Sequence, residues 1–290
     1  MAYNNMLLMA GFQASLLGQS VTDDALTAEV HSTHNMAKDS SRVVKNLFRK
    51  QLGPLRKEIS KARKTHNSIT FEGLGGSRLL VAAEQSNYET AMREHVRRCE
   101  EMAWDFMDDY DNHIESERLV HNGAFNISDY PSKVDLPNKF KFGTSILPMP
   151  DPNEFLKSAL TQHEAERLKK AYEEQIAASV ATIQHNTTSE LLRLIREVST
   201  TLADEDAPII DSENRKGALP KLREYLDRIP QVNITNDPTL QTIYEEARGA
   251  LDVTTDTLRN VSFMRRQTAN KTKAIVDRFG AMGARKIDLG

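Results

Sequence analysis

Three side chains at helical spacing are the first place where this chain could do chemistry. Asp105, Asp109 and His113 follow one another at steps of four residues, which places them on one side of a helix. Carboxylate and imidazole groups could bind a divalent cation there if a second helix supplied further ligands. A solvated acidic helix face has the same pattern and is the commoner arrangement, so we predict no metal site.

The other motifs that could carry catalysis are incomplete. His31 and His34 have no thiol or neighbouring pair to complete a zinc site. The run Gly-Leu-Gly-Gly-Ser-Arg at 73–78 lacks the Gly-Lys-Ser/Thr ending of a phosphate-binding loop. Cys99 falls on an apolar helical stripe, which suits a packed thiol better than a nucleophile. We therefore predict a protein that is not an enzyme, with no catalytic residues and no cofactor.

The composition is typical of a helical protein that solvates much of its surface. Of the 290 residues, 39% are hydrophobic, 6% aromatic and 27% charged. A single cysteine excludes an internal disulfide framework and fits a reducing compartment. No window holds the ~18 apolar residues of a membrane-spanning helix, and residues 1–20 lack the basic start of a signal peptide. We expect a cytoplasmic protein with no membrane contact.

Charge is distributed unevenly although the net charge is only -3. Residues 42–64, the first basic segment, hold nine basic residues and one acid, Glu58. Residues 259–286, the second basic segment, hold eight basic residues and one acid, Asp277. Between them, 100–117 is rich in aspartate and glutamate. Two basic segments therefore flank an acidic helix.

The basic segments support two interpretations. Lysine and arginine clustered on helices could neutralise phosphates, which gives salt-sensitive, sequence-independent binding of nucleic acid, for example by a protein that coats or anneals strands. Alternatively, these helices pair with the acidic helix 100–117, inside one chain or between subunits. Aromatic residues for stacking on bases are sparse, with Phe48, Phe71 and Phe263 the nearest. The candidate contacts are Arg42, Lys45, Arg49, Lys50, Arg56, Lys57, Lys61, Lys64, Arg265, Arg266, Lys271 and Lys273.

Two long helices carry continuous apolar stripes. One is predicted over 79–118, and the other follows a helix start at Asp151-Pro152 and runs to about residue 201. A second start of the same kind is predicted at Asp237-Pro238. The stripe of the second long helix, which includes Leu191 and Ile195, needs a covering helix from its own chain or from another copy. The protein is therefore expected to form a homo-oligomer.

Two segments alternate with a period of two and are predicted strands that could pair: 6–17 and 140–147. The predicted fold is mainly α: an elongated long-helix bundle or coiled-coil-like hairpin with a small two-stranded β element. We divide the chain into 1–78, an N-terminal strand and basic helices; 79–203, a long-helix hairpin whose proline-rich joint and strand lie at 129–155; and 204–290, a basic helical region.

The proline-rich joint carries a family resemblance. It contains Asp129-Tyr130-Pro131-Ser132, then Phe140-Lys141-Phe142, then Leu147-Pro148-Met149-Pro150-Asp151 and Glu154-Phe155. This order resembles the central signature of an uncharacterised family of bacteriophage and bacterial proteins, known as a domain of unknown function. The likeness covers about thirty residues closely, and Glu154 stands where the family pattern has aspartate.

The resemblance implies partners rather than a reaction. Proteins of that family are often encoded beside a MoxR-type AAA+ ATPase and a von Willebrand factor A protein similar to cobaltochelatase subunits. By this resemblance we expect a bacteriophage accessory protein of the host cytoplasm, an adaptor or substrate of the ATPase that acts through protein–protein contacts. Nucleic-acid binding through the basic segments is the alternative function.

Overall fold

The computed structural model describes residues 6–18, 20–73, 77–153, 161–209, 211–212 and 215–283 and is mainly α-helical, as predicted. The helices are α1 Asp24–His34, α2 Gly53–Ile69, α3 Gln85–Asp108, α4 Tyr110–His121, α5 Leu136–Lys139, α6 Gln162–Ala203, α7 Ala218–Val232, α8 Pro238–Ala250, α9 Thr255–Asn260 and α10 Ser262–Gly283. The strands are β1 Leu7–Ser15, β2 Ser20–Thr22, β3 Val44–Asn46, β4 Phe71–Glu72, β5 Arg78–Val81, β6 Lys141–Pro148, β7 Asp211–Ser212 and β8 Arg215–Lys216.

Contacts group the chain into two compact units, each assembled from separated segments. Unit 1 contains Met1–Met9, Phe71–Glu84 and Pro148–Gly290, and unit 2 contains Ala10–Thr70 and Gln85–Leu147. The three-segment division made from the sequence stays a prediction about domains. Among the residues described, no helix combines the length and apolarity needed to cross a lipid bilayer.

The β element is larger than predicted. Strands β1 and β6 are neighbours, as the alternation indicated, but they belong to a four-stranded sheet of order β4-β5-β1-β6. Strands β4 and β5 pair antiparallel, with Phe71 opposite Leu79. The prediction of a two-stranded element was wrong because it missed β5, in which Leu79, Leu80 and Val81 form a continuous buried run. A short continuous apolar run has no alternation to separate a strand from the start of a helix.

The beginning of the first basic segment is extended rather than helical. Strand β3 pairs antiparallel with β2, and Lys45 lies opposite Val21. A second small ribbon joins β7 to β8. This part of the first basic segment differs from the basic helices predicted within 1–78, because residues 44–46 form a ribbon edge and β-branched Val43 and Val44 favour extended backbone.

Helix α6 organises the core of unit 1. Its 42 residues span about 63 Å at 1.5 Å per residue. Helices α7 and α10 pack against it, and Leu191, Ile195 and Val198 are fully buried. This part of the apolar stripe is therefore covered by helices of its own chain. The elongation of the bundle and the homo-oligomer stay predictions.

Helix starts in unit 1 follow local capping chemistry. Asp237 accepts a hydrogen bond from Leu240 N at 2.7 Å ahead of Pro238, which confirms the predicted start of α8. Helix α6 begins after Thr161, where Thr161 and Glu164 form a reciprocal capping box. The predicted start at Asp151 differs, since Asp151 accepts from Asn153 N at 2.9 Å in a short turn. Glu154, the next residue after this turn, lies outside the described residues.

Unit 2 has an aromatic core. Phe48 contacts Phe106 and Tyr130 edge-on, with ring centroids 5.1 and 5.2 Å apart. The helix predicted over 79–118 starts later, at Gln85, and divides into α3 and α4 at Asp109, whose φ of -92° and ψ of 15° are not helical. This break directs Tyr110 into the core, where its hydroxyl donates to Pro131 O at 2.7 Å.

Candidate nucleic-acid interface

Helix α2 is held by one buried face. Pro54 stands in its first turn, where the missing N–H of proline has no intrahelical acceptor to lose. The buried face packs against α3. Its members recur at steps of three and four residues: Leu55, Ile59, Ala62, His66 and Ile69. The remaining side of α2 faces away from the core and carries its cations.

Two adjacent rows of cations run along that outer side. Lys57 and Lys64 are both exposed, and their seven-residue step places them on one face about 10.5 Å apart along the axis. Arg56 and Arg63 repeat this step one position earlier, with Arg63 exposed and Arg56 half-buried. Arg63 was not among the candidates chosen from the sequence. Its seven-residue step from Arg56 is the signal that identifies it.

Among the described residues, Lys61 is the one predicted contact on α2 that has an acidic partner. Its Nζ donates to Glu58 Oε2 at 3.1 Å, and His95 Nδ1 lies 2.7 Å from Glu58 Oε1. Burial alone would raise the pKa of Glu58, but the hydrogen bonds from His95 and Lys61 outweigh it and hold that pKa below its usual range. Glu58, the only acid of the first basic segment, is thus buried and already paired with Lys61 and His95.

The acidic helix does not neutralise the two rows. Glu94 pairs with Arg97 and Arg98 of its own helix, at 2.9 and 2.7 Å. Asp111 pairs with Lys133 at 2.8 Å, and Glu115 with Arg118 of the same helix at 3.3 Å. Across the described ranges, no ion pair joins a lysine or arginine of α2 to an acid of α3 or α4. Within the described residues of one chain, no acid neutralises the two rows.

Phe48 positions the turn that adds two further cations. Its φ of 50° lies in the left-handed region, a conformation that costs a bulky residue about 1–3 kcal/mol. Aromatic packing and a 3.0 Å hydrogen bond from Phe48 N to the buried Glu117 carboxylate hold it there. The chain then turns through Arg49 and Lys50, both exposed, into the first turn of α2.

Lys45 belongs to the fold rather than to this surface. It is buried, and its Nζ lies 2.8 Å from Asp23 and 2.7 Å from Asp129. These two hydrogen-bonded carboxylates outweigh burial and raise the pKa of Lys45. Arg42, three residues before it, is exposed. The sequence could not separate the two, because only the pairing of β3 places Lys45 between acids.

Two of the four predicted contacts of the second basic segment are used by unit 1. Arg265 is buried and donates to the carbonyls of Leu202 and Thr201 at 3.1 Å each, to Ala207 at 2.8 Å, and to Asp204. Arg266 pairs with Glu205 at 3.2 Å. Lys271 and Lys273 are exposed, but they lie about 200° apart around α10 at 100° per residue. They do not form a row, whereas the cations of α2 do.

Within unit 2, the predicted stacking residue Phe48 does not extend the cationic surface of α2. Phe48 is only 1% exposed, so it cannot stack on a base. Phe71 is part of unit 1, and Phe263, although 65% exposed, stands on α10 of the same unit. The surface can therefore offer charge and hydrogen-bond donors to phosphates rather than rings to bases.

The acidic residues do not assemble a metal centre. His113 Nδ1 lies 3.6 Å from Asp109, but in the part of the chain that the structure describes no three His, Cys, Asp or Glu residues are placed to hold an ion. Cys99 is fully buried, and burial raises its pKa to about 11, so it is a packed thiol as predicted.

Comparison with known proteins adds no assignment. No family model matches the chain, and no curated protein and no solved structure matches it. The resemblance found in residues 129–155 therefore stays a hypothesis, and the geometry of unit 2 is the basis for a functional proposal.

Proposed function

We propose that this protein binds nucleic acid through the cationic surface formed by Arg49, Lys50, Arg56, Lys57, Arg63 and Lys64. The observation that carries the proposal is the lack of any ion pair for these six side chains among the described residues, although an acidic helix lies in the same unit. Exposed cations repeated along one helix face can neutralise successive phosphates. The proposal includes no catalytic step.

The proposed contact is with the phosphate backbone and not with bases. Phe48 is buried beneath the surface, so base stacking contributes little. Binding should therefore discriminate weakly between sequences. Neutralising about five phosphates would give a slope of log K against log salt of about -4.5 for duplex DNA.

The decisive experiment compares two double variants by fluorescence anisotropy over a salt series with duplex DNA. Lys57→Ala/Lys64→Ala should make the salt slope shallower by about 2, since each lost phosphate contact removes about one unit. The matched control is Lys271→Ala/Lys273→Ala, which removes the same charge from exposed positions of α10 and should leave the slope unchanged. Equal effects of the two variants, or no binding of the wild type at low salt, would overturn the proposal.

A second candidate function is an accessory role through protein contacts. Leu119, Val120 and Val134 of unit 2 are 84%, 62% and 85% exposed, which is unusual for large aliphatic side chains. We propose that they mediate self-association. Light scattering of the purified protein should give an oligomer that Leu119→Asp/Val134→Asp converts to a monomer, and a monomeric wild type at all concentrations would contradict it. The MoxR-type AAA+ ATPase and the von Willebrand factor A protein remain partners implied by resemblance.

A further inference from the structure

A cavity of about 300 Å³ opens on the flank of α2. Arg56, Ser60 and Arg63 line it from three positions of one helix face, while Leu16, Leu17 and Ile59 supply apolar walls. Ser60 lies between the two arginines in the sequence, about one helical turn from each. The cavity therefore combines two positive charges and a hydroxyl donor with neighbouring apolar side chains.

Two of the three guanidinium nitrogens of Arg56 lack acceptors among the described residues. Its Nε and Nη2 atoms are out of contact with solvent, and neither has a hydrogen-bond partner in the described part of the chain. A buried donor left without an acceptor costs about 1–3 kcal/mol, and more when the group is charged. In folded proteins most buried polar groups have a hydrogen-bond partner, which can be a protein group, a water or a bound ion. The fold therefore maintains an unsatisfied cation beside an open cavity.

The electrostatic surroundings of Arg56 also favour an anion. Burial, and then the neighbouring positive charge of Arg49, lower the pKa of Arg56. Glu58, the one acid of α2, is occupied by His95 and Lys61 on the buried side. An anion entering the cavity would offset the repulsion between the arginines. Arginine suits a phosphate in particular, because its planar fork matches two oxygen atoms at once.

We infer that this cavity is a binding site for one phosphate group, held by Arg56 and Arg63 with the Ser60 hydroxyl as a third donor. The volume exceeds that of a bare phosphate, so it can admit the group together with an attached sugar or with waters. The inference deepens the proposed function and rests on it for the source of the phosphate, a nucleic-acid terminus. Free inorganic phosphate has the same chemistry and is the other source.

The first experiment uses inorganic phosphate and the full-length protein. Isothermal titration and phosphorus NMR should detect one saturable site in the wild type. Arg56→Gln/Arg63→Gln should weaken it at least tenfold. The matched control is Lys57→Gln/Lys64→Gln, which has the same spacing, charge loss and helix but does not line the cavity, and it should bind phosphate as the wild type does.

Folding of the variants is separable from binding. Arg63 is exposed, so Arg63→Gln alone, with circular dichroism as the check, tests the site even if the double variant fails to fold, and should weaken phosphate binding severalfold. Absence of a saturable site in the wild type, or equal losses in the cavity variants and in Lys57→Gln/Lys64→Gln, would overturn the inference.

A second arm compares oligonucleotides with a 5′-phosphate and a 5′-hydroxyl. Tighter binding of the phosphorylated form that Arg56→Gln/Arg63→Gln abolishes identifies a nucleic-acid terminus as the source. Saturable phosphate binding without any oligonucleotide binding would keep the phosphate site and overturn the proposed function. Oligonucleotide binding that depends on Lys57 and Lys64, with no phosphate site, would overturn the site and keep the function.

Discussion

The two basic segments hold similar numbers of basic residues, nine and eight. Among the described residues, most cations of the first make no ion pair, whereas Arg265 and Arg266 of the second are engaged within unit 1. On α2, Lys57 and Lys64 are exposed and repeat along one face. In the second segment, Arg265 is buried against backbone carbonyls. Charge density along a sequence therefore does not give the charge of the surface. Whether a cation stays unpaired depends on whether the carbonyl end of a helix or a pair of acidic residues lies within hydrogen-bonding distance of its side chain.

The largest effect expected from this comparison is on stability at Arg265. The Arg265→Met variant should lower the free energy of unfolding by about 4 kcal/mol, because it strands carbonyls at the C-terminal end of α6 that a charged donor now satisfies. Urea denaturation followed by circular dichroism measures the change. Arg266→Met, which removes an exposed pair with Glu205, should change stability by less than about 1 kcal/mol. Equal losses of stability in the two variants would contradict the expected difference between Arg265 and Arg266.

Lys45 provides a comparable test inside the first basic segment. The Lys45→Met variant should destabilise the protein by about 3 kcal/mol, because Asp23 and Asp129 would face each other without their shared cation. DNA affinity of the folded variant should stay unchanged. Lys50→Met should do the reverse and weaken DNA binding at constant stability. If Lys45→Met weakened binding as Lys50→Met does, Lys45 would belong to the cationic surface after all.

The smallest expected effect is pH-dependent and concerns Glu58. Because the pKa of Glu58 is held below its ordinary value of 4.5, its charged form contributes stability at pH values above that figure, and this contribution is lost as pH falls through the lowered pKa. Glu58→Gln should therefore cost about 2 kcal/mol at pH 7, and the difference from the wild type should shrink below pH 4.5.

Denaturation curves from pH 7 to pH 3 measure this difference. The control is Glu115→Gln, whose carboxylate makes an exposed pair with Arg118 and should show no measurable change across the range. A wild-type advantage that grew as pH fell would mean that Glu58 is bound in its neutral form, contrary to the hydrogen bonds it accepts from Lys61 and His95.

Features that depend on neighbouring residues were predictable from the sequence. The start of α8 at Asp237-Pro238 was correct because an N-cap involves only the next three residues. The strands β1 and β6 were visible through their alternation. The stripe of α6 was visible through its period, but the sequence left open whether Leu191 and Ile195 pack against the same chain. The covering helix α10 starts 60 or more residues later, so local periodicity could not identify it.

The candidate site was predictable only in part. The segment 42–64 was found by counting charge, and the seven-residue steps from Arg56 to Arg63 and from Lys57 to Lys64 are present in the sequence. The acceptor-free state of Arg56 and the cavity beside it were not predictable, because the cavity wall includes Leu16 and Leu17, about forty residues away in the chain. The burial of Lys45 was missed for the same reason.

The sequence by itself determined the mainly helical character, the apolar faces of α2 and α6, and the clustering of basic residues, since each depends on spacings of a few residues. Only the tertiary structure decided which cations stay unpaired, because an ion pair or a buried hydrogen bond needs partners brought together from distant segments. Asp23 and Asp129 reach Lys45, and the carbonyls that end α6 reach Arg265. No acid of the described chain reaches Lys57 or Lys64, and that difference separates a structural cation from a candidate ligand contact.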